Sequence, residues 1–448
     1  MDLVSMENIG VDVPRKCSAC KGCKECNIAT QRMTYLESLE DQQIKDSIEF
    51  VPEKKMYRVS YPYTKEVYDL LPNTEVAMKR ALQLEQKLVK SSVDLELANK
   101  ILDDSFKRGV FRYLTDEEIN AWSGPVHYLC VDRVYKESES TPCRLTFDSS
   151  QPDKNGFYLN GCMGKGRNPL NYFGGVLLNW RAAENVACGD ISKMFNRCEA
   201  RDIDMHLRRF YVRPDGFGGK EPFRVAAIRV VNFGEKSAGN TATAIKNRTA
   251  EDNAHISPEV SKMIINDCFM DDCFVNAKYD EKIDDKIKLA EEIMAEGGFP
   301  FKGWIRNGDK GQKEIGNVLS RALGVYWNTE EDKIVFKVRI NFSKKVRNRR
   351  LKPDSSKETI SVDFPEKFTK RIALKITHSV FDPTCLVQPF ILKLRLAYRD
   401  IIVQEKINEA GGWDVELPSI TRDKWLKLAT EMYELEKISF DRSLVPRG

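Results

Sequence analysis

The heptad Cys268-Phe269-Met270-Asp271-Asp272-Cys273-Phe274 sets two adjacent carboxylates inside an apolar run. Met263, Ile264 and Ile265 lead in, and Phe274 and Val275 lead out, so 263–277 reads as strand, tight turn, strand. Aspartate is a poor strand residue and repels a neighbour of its own charge. Two at the tip of an apolar hairpin destabilise it unless a cation neutralises them. Oxygen-only ligands suit Mg²⁺ or Mn²⁺, and two such ions can clamp the attacking and leaving oxygens of a phosphoryl transfer. A polar hairpin turn without metal is the competing reading of the heptad alone. A third carboxylate, Asp190, ends the short apolar strand Val186-Ala187-Cys188-Gly189, and Phe195 follows five positions on.

Two other stretches carry residue types that bind ions. Cys17, Cys20, Cys23 and Cys26 stand at x2 spacing, with Lys16, Lys21 and Lys24 among them. Their thiolates can hold zinc, although four-cysteine zinc sites place two Cys-x2-Cys pairs well apart. An iron–sulfur run would need a following Cys-Pro, which is missing. A zinc-stabilised leader and a reduced, metal-free one both stay open. Gly164-Lys165-Gly166 looks like a phosphate loop but lacks the Gly-x4-Gly-Lys-Ser/Thr spacing and a preceding strand, which excludes a Walker motif.

Composition narrows the class. The chain has 448 residues, 42% hydrophobic, with Lys+Arg 71 against Asp+Glu 67 and a net charge of +4. A polyanion would therefore be bound through local clusters such as Lys344, Lys345, Arg347, Arg349, Arg350 and Lys352, or that stretch is a solvated loop. No run spans a bilayer and the N-terminus lacks a secretory signal, so no membrane partner is expected. The cysteines outside the leader are scattered among apolar residues, which fits reduced thiols of an intracellular, cytoplasmic protein. The final Leu444-Val445-Pro446-Arg447-Gly448 is either a protease-site remnant or natural sequence.

The positioning elements follow from periodicity. Leu84, Leu88, Leu95 and Leu102 predict a helix over 75–108 with Gly109 as its exit. Tyr57–Tyr63 reads as extended, with Pro62 keeping Tyr61 out of helix. Strands at 126–131 and 144–148 form a hairpin through a polar connection, and 170–180 is a short helix. His127 reads as structural. Strands at 207–212 and 224–233 precede a helix at 236–252. A helix at 281–296 carries Ile283, Ile287, Ala290 and Met294 on one face. A further hairpin joins 323–327 to 334–338, and 366–440 is mainly helical. The order strand, helix, hairpin, helix predicts an α+β fold with helices on one face of the sheet.

With Asp190 at a strand end and Asp271-Asp272 at a turn, the pattern resembles the palm of a reverse transcriptase. Phe269-Met270-Asp271-Asp272 is similar to that family's aromatic-x-Asp-Asp motif, and Asp190-x4-Phe195 to its first palm motif. Nearly the whole chain resembles the polymerase region of Pao/BEL long-terminal-repeat retrotransposon polyproteins. The marks are the cysteine-rich leader, Ser60-Tyr61-Pro62-Tyr63, Arg144-Leu145-Thr146-Phe147-Asp148-Ser149-Ser150, Gly297-Gly298-Phe299 through Trp304, Leu323-Gly324-Val325-Tyr326-Trp327 and Val380-Phe381-Asp382-Pro383, in that order.

The resemblance implies a right-hand polymerase with an antiparallel palm sheet packed on helices. Its parts would be a leader at 1–35, an N-terminal region at 36–125, fingers at 126–185 and a palm with primer-grip hairpin at 186–342. A basic linker at 343–365 and a thumb- or connection-like region at 366–448 would complete it. Asp190, Asp271 and Asp272 would be catalytic and hold two Mg²⁺ or Mn²⁺ ions. Arg144 would grip the incoming triphosphate, Phe195 would exclude a ribose 2′-hydroxyl, and Phe233 and Gly234 would line the nucleotide site. Lys302 would lie near the pyrophosphate, and Tyr326 and Trp327 near the primer terminus. The partners would be an RNA or DNA template with primer, dNTPs, and the RNase H and integrase regions of a parent polyprotein, the setting a virus-like particle. This chain has Ser237-Ala238-Gly239 where the family has a Ser/Ala-Pro pair, and it shows no Asp-Thr/Ser-Gly protease motif, no RNase H carboxylate set and no His-His-Cys-Cys integrase motif. The alternative is a catalytically silent relic, or a host-adopted protein that binds nucleic acid without polymerising.

Overall fold

The structure is a computed structural model that describes residues 34–135, 142–278, 281–310, 320–343, 352–404 and 412–445, together with the backbone of 319, 345–346, 349–350 and 405–407. The cysteine cluster at 17–26 lies outside the described residues. The chain is mixed α+β, built from small and mostly antiparallel sheets. No helix among the described residues is long and apolar enough to cross a membrane.

Two compact units divide it, and each is discontinuous in sequence. Unit 1 takes the described residues up to Leu170 with Ser192–Ser257 and Glu292–Pro300; unit 2 takes Asn171–Ile191, Pro258–Glu291 and the residues from Phe301 onward. This division departs from the linear parts expected above, because strand pairing crosses their boundaries. Met56–Val59 runs parallel to Cys198–Ala200, and Phe111–Tyr113 pairs with Arg224–Ile228, which also pairs with Arg209–Val212. Residues 192–257 are therefore tied to the N-terminal half.

Within unit 1, two elements differ from the periodicity reading. The helix expected over 75–108 is two, Thr74–Leu88 and Ser92–Lys107. Ser91 starts the second by accepting the Asp94 N–H on its hydroxyl, an N-cap that interrupts the leucine stripe. The first strand of the 126–148 hairpin is Cys130–Tyr135, not 126–131. The reason is competition for hydrogen bonds: the backbones of His127 and Leu129 pair with His206 and Arg209, leaving 130–135 to pair with Cys143–Asp148.

Unit 2 holds the sheet with the candidate carboxylates. Asn185–Ile191 is central, flanked antiparallel by Asp272–Ala277 and Phe301–Arg306, with the short Cys268–Phe269 outside the former. Met263–Ile265 do not continue that edge strand. They lie in the helix Pro258–Asn266, where Val260, Ser261 and Ile264 are buried at helical spacing and proline suits the first position. A second sheet has the order Leu319–Ala322, Val325–Asn328, Lys333–Val335, Ser439–Asp441. Its last strand comes from the end of the chain, with Ile334 opposite Phe440. One core joins Trp180, Phe274 and Trp327 to Phe368, Trp425 and Met432, so 366–448 is packed together with the 325–335 hairpin.

Candidate active site

The carboxylates are positioned by strand register. Asp272 stands directly opposite Asp190, and Phe269 opposite Asp272, so all three side chains leave the same face of the sheet. Asp271 is exposed at the turn, and its carbonyl accepts the Ile191 N–H at 2.8 Å. Met270 has φ +58°, a left-handed backbone that favours glycine. A two-residue hairpin whose first central residue has positive φ normally carries glycine there, so local strain sits beside the two aspartates. Gly189, on the other face, is required by packing: a Cβ would lie 2.7 Å from the Trp304 ring. That indole donates to Glu291 at 3.0 Å.

Electrostatics mark these groups as under-compensated. Burial, then the charge of Asp271, raises Asp190 above the usual carboxylate range, and Lys302 partly opposes this. Burial followed by the charges of Asp271 and Asp190 pushes Asp272 up to about 6. Lys302 Nζ lies 3.9 Å from Asp190 Oδ2, a long and largely exposed ion pair. Among the described residues no three His, Cys, Asp or Glu side chains are already gathered as a metal shell. The donor chemistry nevertheless fits a divalent cation, because hard oxygen donors that repel one another are what such an ion neutralises.

Cys268 and Cys273, which bracket the tetrad, form a disulfide and pair across the hairpin. The scattered-thiol reading is corrected here, because a tight turn brings two cysteines five residues apart face to face. Cys130, Cys162, Cys188, Cys198 and Cys385 are not part of a disulfide.

Unit 1 assembles a second group. The Phe195 ring is buried and packs 4.4 Å from Phe233, whose own ring is 53% exposed. Exposed Arg144 holds its guanidinium 5.9 Å over the Phe233 ring. Gly234 has φ +94°, and its carbonyl accepts from Asn160 at 3.0 Å. The structure therefore brings together Arg144, Phe195, Phe233 and Gly234 in one unit, and Asp190, Asp271, Asp272 and Lys302 in the other.

Trp327 is corrected. Its indole is wholly buried, donates to Asp332 at 3.0 Å and meets Trp180 edge to face, so it has no surface to offer a primer. Strand alternation sends Val325 and Trp327 inward and Tyr326 outward. Tyr326 is half-buried under Arg321, which donates to its hydroxyl at 2.9 Å.

Sequence reasoning missed a buried network under the Phe233–Gly234 turn. Arg208 and Glu235 form an ion pair at 3.4 Å with both side chains fully inaccessible. Tyr61 donates to Glu235, and Tyr63 donates to Asp204 at 2.8 Å. Burial raises Asp204 and Glu235 and is opposed by Arg208; burial also acts against Arg208, but the charges of Glu235 and its neighbours hold it protonated. The available signal was the carboxylate immediately after Phe233-Gly234, together with the two tyrosines of the Ser60–Tyr63 segment.

Comparison with known proteins adds three findings. Residues 369–448 match a family model described as the Pao retrotransposon-like RNaseH-like domain. No curated protein matches the chain. Among solved structures, the foamy viral protease-reverse transcriptase dRH in complex with ds DNA is 12% identical, covering 75% of this chain and 48% of that one at a TM-score of 0.45. The foamy viral protease-reverse transcriptase in complex with RNA/DNA hybrid is likewise 12% identical, covering 77% and 37% at 0.43. This chain thus spans less than half the length of either. The family match falls on the stretch expected to be thumb- or connection-like, where the described residues form the helices Lys370–Thr377, Gln388–Ile407 and Ser419–Glu431 and the strand Ser439–Asp441.

Proposed function

We propose that this chain is the RNA-directed DNA polymerase region of a Pao/BEL-type retroelement, organised as fingers, palm and thumb or connection. The observation that carries the reading is the register that sets Asp272 opposite Asp190 beside the hairpin-tip Asp271, with Lys302 as the one cation paired with them among the described residues. The retrotransposon family match at 369–448 supports a retroelement origin. Asp190, Asp271 and Asp272 would hold two Mg²⁺ or Mn²⁺ ions, which when bound stabilise the charge on the attacking and leaving oxygens. The Asp271 carbonyl, accepting the Ile191 N–H, ties the hairpin tip to the central strand. Lys302 offsets Asp190 and would lie near a departing pyrophosphate. Arg144, whose planar guanidinium can make paired hydrogen bonds to phosphate oxygens, would take the triphosphate of a dNTP. Phe233 and Gly234 would line the nucleotide pocket, and Phe195, held in place by Phe233, would bar a 2′-hydroxyl. Template and primer are the remaining partners in this reading.

Primer extension on an RNA template with Mg²⁺ tests it. The wild type should add deoxynucleotides, and Asp271→Asn should lose on the order of 10³-fold or more, the several kcal/mol that metal-assisted charge stabilisation supplies. Equal rates, or no extension by folded wild type on any template, would refute the polymerase assignment.

A further inference from the structure

The Gly164-Lys165-Gly166 stretch, excluded above as a Walker motif, has a built geometry within unit 1. A single side-chain nitrogen, Asn240 Nδ2, is within hydrogen-bond distance of the carbonyls of Lys165 (2.6 Å), Gly166 (3.3 Å) and Arg167 (2.7 Å). Those three successive carbonyls are thus held by one side chain. The N–H groups of Lys165 and Gly166 converge on one oxygen, Glu40 Oε2, at 3.0 and 2.8 Å. Successive backbone N–H groups aimed at one point make an anion cradle.

The loop is shaped around that carboxylate. A Cβ on Gly164 would lie 2.6 Å from Glu40 Cδ, and one on Gly166 would lie 2.9 Å from Ile44 Cδ1, where φ is +73°. Gly164 is pinned by donating to the Pro62 carbonyl at 2.7 Å, and Lys236 Nζ donates to the Met163 carbonyl at 2.7 Å. Lys165 and Arg167 are exposed on either side, and neither has an ion-pair partner among the described residues. The cradle therefore presents cationic flanks around a carboxylate that reaches in from another element.

That element is lightly held. In the helix Tyr35–Ser47, Ile44 is the only buried residue, and Glu40 itself is half-buried, so its side chain can leave by rotation without unpacking a core. Asp41, its neighbour, is already paired with Lys45 at 2.8 Å.

We propose that the Lys165–Arg167 loop is a binding site for a backbone phosphate of a nucleic-acid strand, and that Glu40 is an internal stand-in which the phosphate displaces. A phosphodiester oxygen would accept the same two N–H groups, with Lys165 and Arg167 on adjacent phosphates. The proposal rests on the nucleic-acid reading of the chain but not on polymerisation.

Anisotropy titrations of a labelled single-stranded oligonucleotide over a salt series test it, on wild type, Glu40→Ala and Glu40→Gln. Removing the competitor should tighten binding of the alanine variant by about tenfold. The salt slope should steepen by about 0.7, that of one more neutralised phosphate on a single strand. Glu40→Gln, which keeps an acceptor but not the charge, should tighten binding by about threefold and carries the test should the alanine variant fail to fold. Adding Lys165→Ala and Arg167→Ala should cancel the gain. Unchanged affinity and slope in both Glu40 variants overturn the proposal. So does a gain confined to inorganic phosphate or a free dNTP, tested in parallel. Folded protein that extends no primer yet shows the Glu40 effect loses the polymerase reading and keeps this one; primer extension with no Glu40 effect does the reverse.

Discussion

Unit 2 treats charge in two opposite ways. At Arg442 it is fully compensated. The guanidinium is inaccessible, and its donors reach both carboxylate oxygens of Asp332 at 2.7 and 2.8 Å and the carbonyls of Trp180, Ala183 and Glu184. Every donor of the side chain has an acceptor, and the result ties the last strand to the core. At Asp190, Asp271 and Asp272 like charges face one another, with one exposed lysine for balance among the described residues. The compensated cluster stabilises the architecture. The other is destabilising as it stands, which is intelligible if a divalent cation completes it.

Breaking the compensated cluster should have the largest effect on stability. Arg442→Met strands Asp332 in the core and is expected to cost about 3–5 kcal/mol in urea unfolding. A loss below about 1 kcal/mol would mean that the network is not a structural anchor.

The uncompensated cluster should respond in the opposite sense. Asp272 has a folded-state pKa of about 6, above its unfolded value, so the folded chain binds the extra proton. Its contribution is fully favourable below about pH 4 and is lost as pH rises through 6. His127 and His206, lowered to about 4 by burial, impose the opposite slope over roughly pH 4–6.5. The diagnostic quantity is therefore the difference between wild type and Asp272→Asn. The variant should gain stability relative to wild type as pH rises from 4 to 7, and Mg²⁺ should narrow the gap above pH 6. A pH-independent difference would remove the repulsion argument.

The smallest effect is expected at Met270. Met270→Gly relieves a positive φ at the hairpin but adds freedom to the unfolded chain, so a net gain of about 1 kcal/mol or less is expected in the same unfolding assay. A loss would show that the Met270 side chain packs in a way that outweighs its backbone.

How much of this was legible depends on the range of the interactions. The aspartate pair could be read directly, because two adjacent carboxylates in an apolar run conflict with local propensity. Asp190 was legible as a strand end for the same reason. The three-residue run Met263–Ile265 was not, since so short an apolar run fits either period, and Pro258 and the Val260–Ile264 spacing decide for helix. Tyr326 and Trp327 were both placed near a primer terminus by resemblance, whereas alternation in Val325–Asn328 allows only one of two adjacent aromatics to face out. The closing strand and Arg442 were out of reach, because Asp332 lies 110 residues away and nothing local signals the pairing. The Arg208–Glu235 pair is nearer in sequence, but its burial depends on Tyr61 and Asp204 arriving from elsewhere.

In the polymerase reading, Asp190, Asp271 and Asp272 would stand uncompensated because they hold divalent ions. Titration of Mn²⁺ into the purified protein, followed by electron paramagnetic resonance at pH 7.5, tests it without requiring turnover. The account predicts saturable binding to the wild type that weakens as pH falls below about 6, and at least tenfold weaker binding to Asp271→Asn. Mn²⁺ binding that is identical in the two proteins and insensitive to pH would contradict it.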